Sequence, residues 1–206
     1  MLIIAFDDAN RMYRQGMEHL LQQLPLEGAD GQIEYQPLTK NNAKDADVVV
    51  KSFVQGEEFL CLPIFKFRNK TGMIIGLYEG DKTPYHSDLP LCISNVVFVS
   101  RKEPLSKTRE RVIQTWKERN EVESNQSYMK CLKCKCRKLT SQQYAIIKYM
   151  LDGKDIQDIA DLLDISAKTV SAHKRMIMAK FNLNSDYELL QLFNKYKVQL
   201  SLASHL

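Results

Sequence analysis

Residues Leu139–Tyr196 read LTSQQYAIIKYMLDGKDIQDIADLLDISAKTVSAHKRMIMAKFNLNSDYELLQLFNKY, and no other stretch restricts the fold so tightly. Apolar residues recur at helical spacing in four short runs, each opened by its own capping residue. Thr140 with Gln143 three residues on has the form of a capping box, and Ser185 with Glu188 repeats it. Asp155 is suited to N-cap the second run, with Asp158 placed well against the positive end of the helix. Ser166 precedes the third. Gly153 and Asn182 stand where a helix ends in a left-handed residue. Inside these caps Ile146, Ile147, Met150 and Leu151 keep one face, as do Ile156, Ile159, Ala160 and Leu163. Val170, Ile177, Met178 and Phe181 give the third run its buried stripe. The short DISA turn joins the second run to the third as in a helix-turn-helix.

The third helix, expected over 166–180, gathers Lys168, Thr169, Ser171, Ala172, His173, Lys174 and Arg175 in its first turns. A small bundle that presents a polar, basic helix start is shaped to enter the major groove of double-stranded DNA. Ser171, Ala172 and Arg175 are expected to face base edges, while Lys168, Thr169, His173 and Lys174 hold the helix on phosphates.

These residues resemble the DNA-binding domain of LuxR/FixJ/NarL-type regulators. That family opens with LTxxExxVL, has an alanine-flanked second helix (here DIADLL), and starts its recognition helix IsxKTVxxH (here ISAKTVSAH). Three positions depart from the pattern. Gln143 replaces the usual Glu, Asn182 the usual Gly, and Lys174 an apolar residue. Gln preserves the capping box and Asn tolerates a left-handed turn, so the four-helix fold is still expected. The resemblance also implies that the final helix pairs two chains, with Leu189, Leu190 and Phe193 as candidates, although part of that stripe has to close the bundle.

The N-terminal half reads as alternating strands and helices. LIIAF, DVVVKSF, MIIGLY and NVVFVS are short buried strands. Met12, Gly16, Met17, Leu20, Leu21 and Leu24 lie along one helix, and Leu105–Arg119 forms another. The order resembles a response-regulator receiver, a doubly wound parallel sheet in which an acidic pair follows the first strand and an acceptor aspartate ends the third. Here Asp7 and Asp8 follow the first strand, but Ser52 stands at the acceptor position. Serine without a base is no substitute for a carboxylate nucleophile. Tyr78-Glu79 replaces the family's switch hydroxyl, and Arg101 or Lys102 stands for its lysine. The domain is therefore expected to be receiver-like but degenerate. Adjacent carboxylates at a strand end are expected to be a solvated loop start.

Such a domain joined to a KTVSxHK helix resembles RcsA/BglJ-type auxiliary regulators. The resemblance implies a phosphorylation-independent DNA-binding transcriptional regulator, acting as a homodimer or as a heterodimer with another LuxR-type protein. Two alternatives stay open: a phosphorylatable response regulator, and a ligand- or metal-sensing regulator.

Composition narrows the field without deciding it. With 44% hydrophobic residues in 206, the chain has material for two small cores. Residues 1–119 are expected to form the receiver-like regulatory and dimerisation domain, 120–137 a basic linker, 138–198 the DNA-binding domain and 199–206 a tail. No apolar run approaches membrane-spanning length and the start lacks a signal-peptide pattern, so a cytoplasmic location is expected. No Gly-rich phosphate loop or Ser/His/Asp set suggests an enzyme, and no cofactor is expected. Cys131, Cys134 and Cys136 supply three of the four ligands that a structural zinc needs, and so are read as free thiols in a basic linker.

Overall fold

The computed structural model describes residues 1–26, 32–66, 68, 72–80, 89–93, 95–118 and 136–196. These fall into two compact units. One comprises Met1–Phe53 and Cys61–Cys136; the other comprises Val54–Leu60 and Arg137–Leu206. The second boundary departs from the expected division, because Val54–Leu60 lies deep inside the stretch assigned to the N-terminal domain.

The first unit is a five-stranded parallel sheet in the order β2-β1-β3-β4-β5. Its strands are β1 (Leu2–Asp7), β2 (Ile33–Pro37), β3 (Val48–Ser52), β4 (Met73–Tyr78) and β5 (Val96–Ser100). Val48, Val49 and Val50 are all fully buried, the signature of a central strand covered on both faces. Helices α1 (Arg11–Gln22) and α3 (Leu105–Glu118) supply Met17, Leu20, Leu21, Val112 and Trp116 to the same core as Ile4, Phe6, Ile75 and Leu77. Asn10 caps α1, its Oδ1 accepting from the Tyr13 amide at 3.0 Å. Met12 is left in solvent, off the apolar face expected for it.

β2 has no strand signature in the sequence. Its IEYQP is short, polar and ends in proline, as suits an edge. The stretch after β3 contains one 3₁₀ turn (Glu57–Phe59) and α2, a single turn (Pro63–Lys66). In β4, Gly76 is required by packing: a Cβ there would lie 2.6 Å from the Phe98 ring.

Among the described residues the second unit carries four α-helices, α4 (Ser141–Leu151), α5 (Ile156–Leu163), α6 (Ala167–Lys180) and α7 (Asp186–Lys195). Both halves of the Thr140/Gln143 capping box are made, at 3.2 and 3.1 Å. Asp155, Ser166 and Ser185 cap the next three, each accepting from the amide three residues on. Glu188 does not close a full box with Ser185; it accepts from the Asn184 amide, one residue earlier, at 2.6 Å. Gly153 and Asn182 have the expected left-handed backbone, and Asp164 adopts it as well. Ile146, Ile159, Ala160 and Val170 form one part of the core. Phe181 and Phe193 meet edge-on at 5.3 Å in another.

Candidate nucleic-acid interface and acceptor corner

Ser166 opens α6 with two contacts: its hydroxyl accepts from the Thr169 amide at 3.1 Å and lies 2.8 Å from the Thr169 hydroxyl. The cap fixes where the helix starts, and the helical period then separates two faces. Val170, Ile177 and Phe181 are buried in the bundle, whereas Lys168 and Arg175 are exposed and Ser171 and Ala172 half-buried. Lys168, Ser171, Ala172 and Arg175 follow one another at helical spacing on the outward side. Neither Lys168 nor Arg175 forms a hydrogen bond or ion pair among the described residues, so both charges are directed at solvent.

The flanks differ. Lys174 is tied to Asp186 at the start of α7, 2.8 Å away, and Thr169 is engaged with the cap. His173 is half-buried, with its Nδ1 shielded from solvent and unpartnered among the described residues.

The candidates on α7 divide sharply. Leu189 and Phe193 are almost wholly buried within their own unit, and Leu192, not singled out from the sequence, joins them. A second chain therefore cannot use Leu189 or Phe193 while the bundle is intact. This corrects their assignment, since both side chains are consumed by the core. Leu190 is half-buried, and Tyr187 is a large exposed residue on the same helix. Cys131 and Cys134 lie outside the described residues; Cys136 is half-buried.

At the carboxyl ends of β1, β3 and β5 a second cluster forms, where a doubly wound sheet offers its crevice. Asp7 pairs with Lys51 across the β1–β3 register, and their side chains meet at 2.9 Å. Lys51 is almost wholly buried. A lysine inside a run of valines needs a partner, and that requirement is the sequence signal of this pair. Asp8 is met by Arg101 from the end of β5 at 2.7 Å, and its side chain is only 2% exposed. The Arg101 guanidinium also donates to the Ser52 hydroxyl at 3.4 Å, lies 3.6 Å from Glu79 and sits 4.5 Å over the Tyr13 ring. Burial raises the Tyr13 pKa, and Arg101 opposes that rise. The expected solvated loop start is therefore wrong for Asp8, which is an internal ion pair. At the end of β5, Arg101 reaches both Asp8 and Ser52.

The receiver fold implies a divalent cation held by this acidic pair. The residues present do not fit one. Each carboxylate already faces its own cation, so an incoming metal would meet Lys51 and Arg101 at close range. Ser52 adds a neutral hydroxyl where a carboxylate ligand would be needed.

A match to the model of bacterial regulatory proteins of the luxR family covers residues 137–193. Residues 137–193 form a luxR-family helix-turn-helix domain. The relatives agree: the "DNA-binding transcriptional activator EvgA" of Escherichia coli is 38% identical over 60 residues, 29% of each chain. The "Fimbriae Z protein" of the same organism is 35% identical over 77 residues, 35% of this chain and 37% of its own. The alignments thus reach about a third of either relative. Among solved structures, "Structure of the two-component response regulator RcsB-DNA complex" aligns with 94% of this chain and 98% of its own, at TM-score 0.57 and 18% identity. "Structure of two RcsB dimers bound to two parallel DNAs" aligns with 94% of this chain and 98% of its own, at TM-score 0.56 and 16% identity. At such identities these show the fold: a receiver-type sheet domain combined with a helix-turn-helix domain.

Proposed function

We propose that this protein is a DNA-binding transcriptional regulator that reads the major groove with α6 and acts without phosphorylation of its sheet domain. The observation that carries the DNA reading is the outward face of α6, where Lys168, Ser171, Ala172 and Arg175 stand clear of the core with both charges unspent. Arg175 and the two small residues read base edges; Lys168 and His173 contact phosphates. Thr169 serves the cap, and Lys174 reaches a phosphate only by leaving Asp186. The similarity to a DNA-binding activator and to RcsB in complex with DNA supports this reading.

Phosphorylation independence is supported by the acceptor corner, where Ser52 lacks a carboxylate and Arg101 and Lys51 neutralise the acidic pair internally. Two chains, or this chain and a related one, bind paired half-sites, a reading supported by the RcsB dimers seen bound to DNA. On α7 the residues available for pairing are Tyr187 and Leu190. The chain acts as a regulator and not as an enzyme. Among the described residues no helix is long and apolar enough to cross a membrane.

Incubation with acetyl phosphate and magnesium tests the phosphorylation reading. No phosphoryl group should be incorporated, and affinity for a selected DNA duplex should not change. Stoichiometric labelling with tighter binding restores the response-regulator alternative.

A further inference from the structure

Val54–Leu60, VQGEEFL, follows β3 directly in the chain, yet it is part of the unit built by Arg137–Leu206. It touches that unit at three places. At the end of α6, Gln55 Nε2 donates to the Asn182 carbonyl at 3.1 Å. Gly56 approaches the same corner so closely that a Cβ would lie 2.8 Å from the Phe181 carbonyl oxygen and 2.9 Å from a Leu183 methyl. Its φ of +83° adds a backbone reason for glycine. At the end of α7, Glu57 accepts from Lys195 Nζ at 2.9 Å and from the Tyr196 hydroxyl, while also accepting from the Val54 amide at 2.9 Å. At the domain's entry, the Arg137 amide donates to the Phe59 carbonyl at 3.1 Å, and its guanidinium stacks 3.5 Å over the Phe59 ring.

This is more than a loop resting on a surface. Glu57, Glu58 and Phe59 are all essentially inaccessible to solvent. A carboxylate is buried only when its partners are placed for it, and Glu57 has Lys195, Tyr196 and the Val54 amide. The Asn182 and Tyr196 partners lie 127 and 139 positions further along the chain. One short segment thus ties the end of α6 to the end of α7. The corner it grips terminates the helix proposed to enter DNA.

We propose that Val54–Leu60 is a clasp belonging to the DNA-binding unit, and that the α6–α7 corner holds its shape only while the clasp is docked. The inference rests on the DNA reading of α6 for its functional consequence, though not for the clasp itself. Glu57 is the keystone, because its ion pair with Lys195 joins the segment to the last turn of α7. The neighbouring Glu58 has a buried Oε1 with no hydrogen-bond partner among the described residues, so the clasp carries a local cost that a permanent piece of core lacks. Undocking uncovers Leu183, Leu192 and Tyr196, which are buried in the closed form.

The test uses the full chain, with hydrogen–deuterium exchange of α7 as one readout. The other is affinity for a duplex recovered from random DNA by the unmodified protein. Glu57→Lys sets a cation against Lys195; exchange in the last turns of α7 should rise about tenfold and DNA binding should weaken about tenfold. Adding Lys195→Glu reverses the pair and should restore both. If Glu57→Lys does not fold, Glu57→Gln, which keeps the shape and removes the charge, should show the same changes at smaller size. Unchanged exchange, damage that the reversed pair fails to rescue, or tighter DNA binding on release each overturns the proposal. If the unmodified chain selects no duplex, the reading of α6 falls, and the exchange rescue still decides the clasp.

Discussion

The acceptor corner of the sheet domain and the first turns of α6 use similar residue types to opposite ends. In the corner, Asp8, Lys51 and Arg101 are turned inward, and with the half-exposed Asp7 they form two ion pairs, Asp7–Lys51 and Asp8–Arg101. On α6, Lys168 and Arg175 face outward and are matched by nothing among the described residues. Charges satisfied at home specify a structure; charges held out at a fixed spacing are available to a ligand. The difference separates charges consumed inside the fold from charges left available at its surface.

Breaking the corner gives the largest expected effect. Arg101→Ala leaves Asp8 as a buried carboxylate without its cation, a change that typically costs about 3–5 kcal/mol. The thermal midpoint of the sheet domain should fall steeply, and calorimetry would measure it. Combining Arg101→Ala with Asp8→Ala removes both charges and should recover most of the loss. If the single change is neutral, the pair does not lock the corner.

Next in size is a pH effect from Glu58, whose carboxyl is pushed up by burial from 4.5 to about 7. Glu57 raises it further, while Arg137 and backbone amides pull it down. The folded state thus holds a proton that the unfolded state releases at lower pH. Its contribution is fully present below about pH 4.5 and is lost as pH rises through 7. That displacement corresponds to roughly 3 kcal/mol. Glu58→Gln cannot ionise, so the native chain's stability relative to this variant should decline between those pH values. Parallel denaturation profiles for the two chains would contradict the burial of this carboxyl.

The same contrast explains how much is legible in the sequence. Local rules predict the helix-turn-helix well, since capping residues and apolar spacing act within a few positions of one another. Thr140, Asp155, Ser166 and Ser185 all cap as their chemistry suggests. Buried strands are readable wherever valine and isoleucine run together, as in β3 and β4. β2 is not, because an edge strand carries polar residues. Long-range pairings leave less trace. Nothing near Asp8 in sequence announces Arg101, 93 positions away. Val54–Leu60 is invisible for the same reason: two adjacent glutamates read as solvated until Lys195 and Tyr196 are brought to one of them. Leu189 and Phe193 show a related failure, since an apolar stripe fits a core and an interface equally well.

On α6 the expected effects are smaller and differ in kind. Arg175→Ala should weaken binding to a selected duplex by ~1–3 kcal/mol and relax the preference at one base position. An unchanged preference in a repeated selection would remove Arg175 from the base-reading set. Lys168→Ala should act more gently and without regard to sequence, because a phosphate contact carries no base information. Its signature is the salt dependence. Each neutralised phosphate releases condensed counterions, so the slope of log affinity against log salt should flatten by about one. Titrations of the native and Lys168→Ala chains over a range of salt concentrations, on selected and on scrambled duplexes, would measure that slope. An equal flattening on both duplexes places Lys168 on the backbone. A loss confined to the selected duplex moves it among the residues that read bases, and the outward face of α6 then recognises sequence from its first turn.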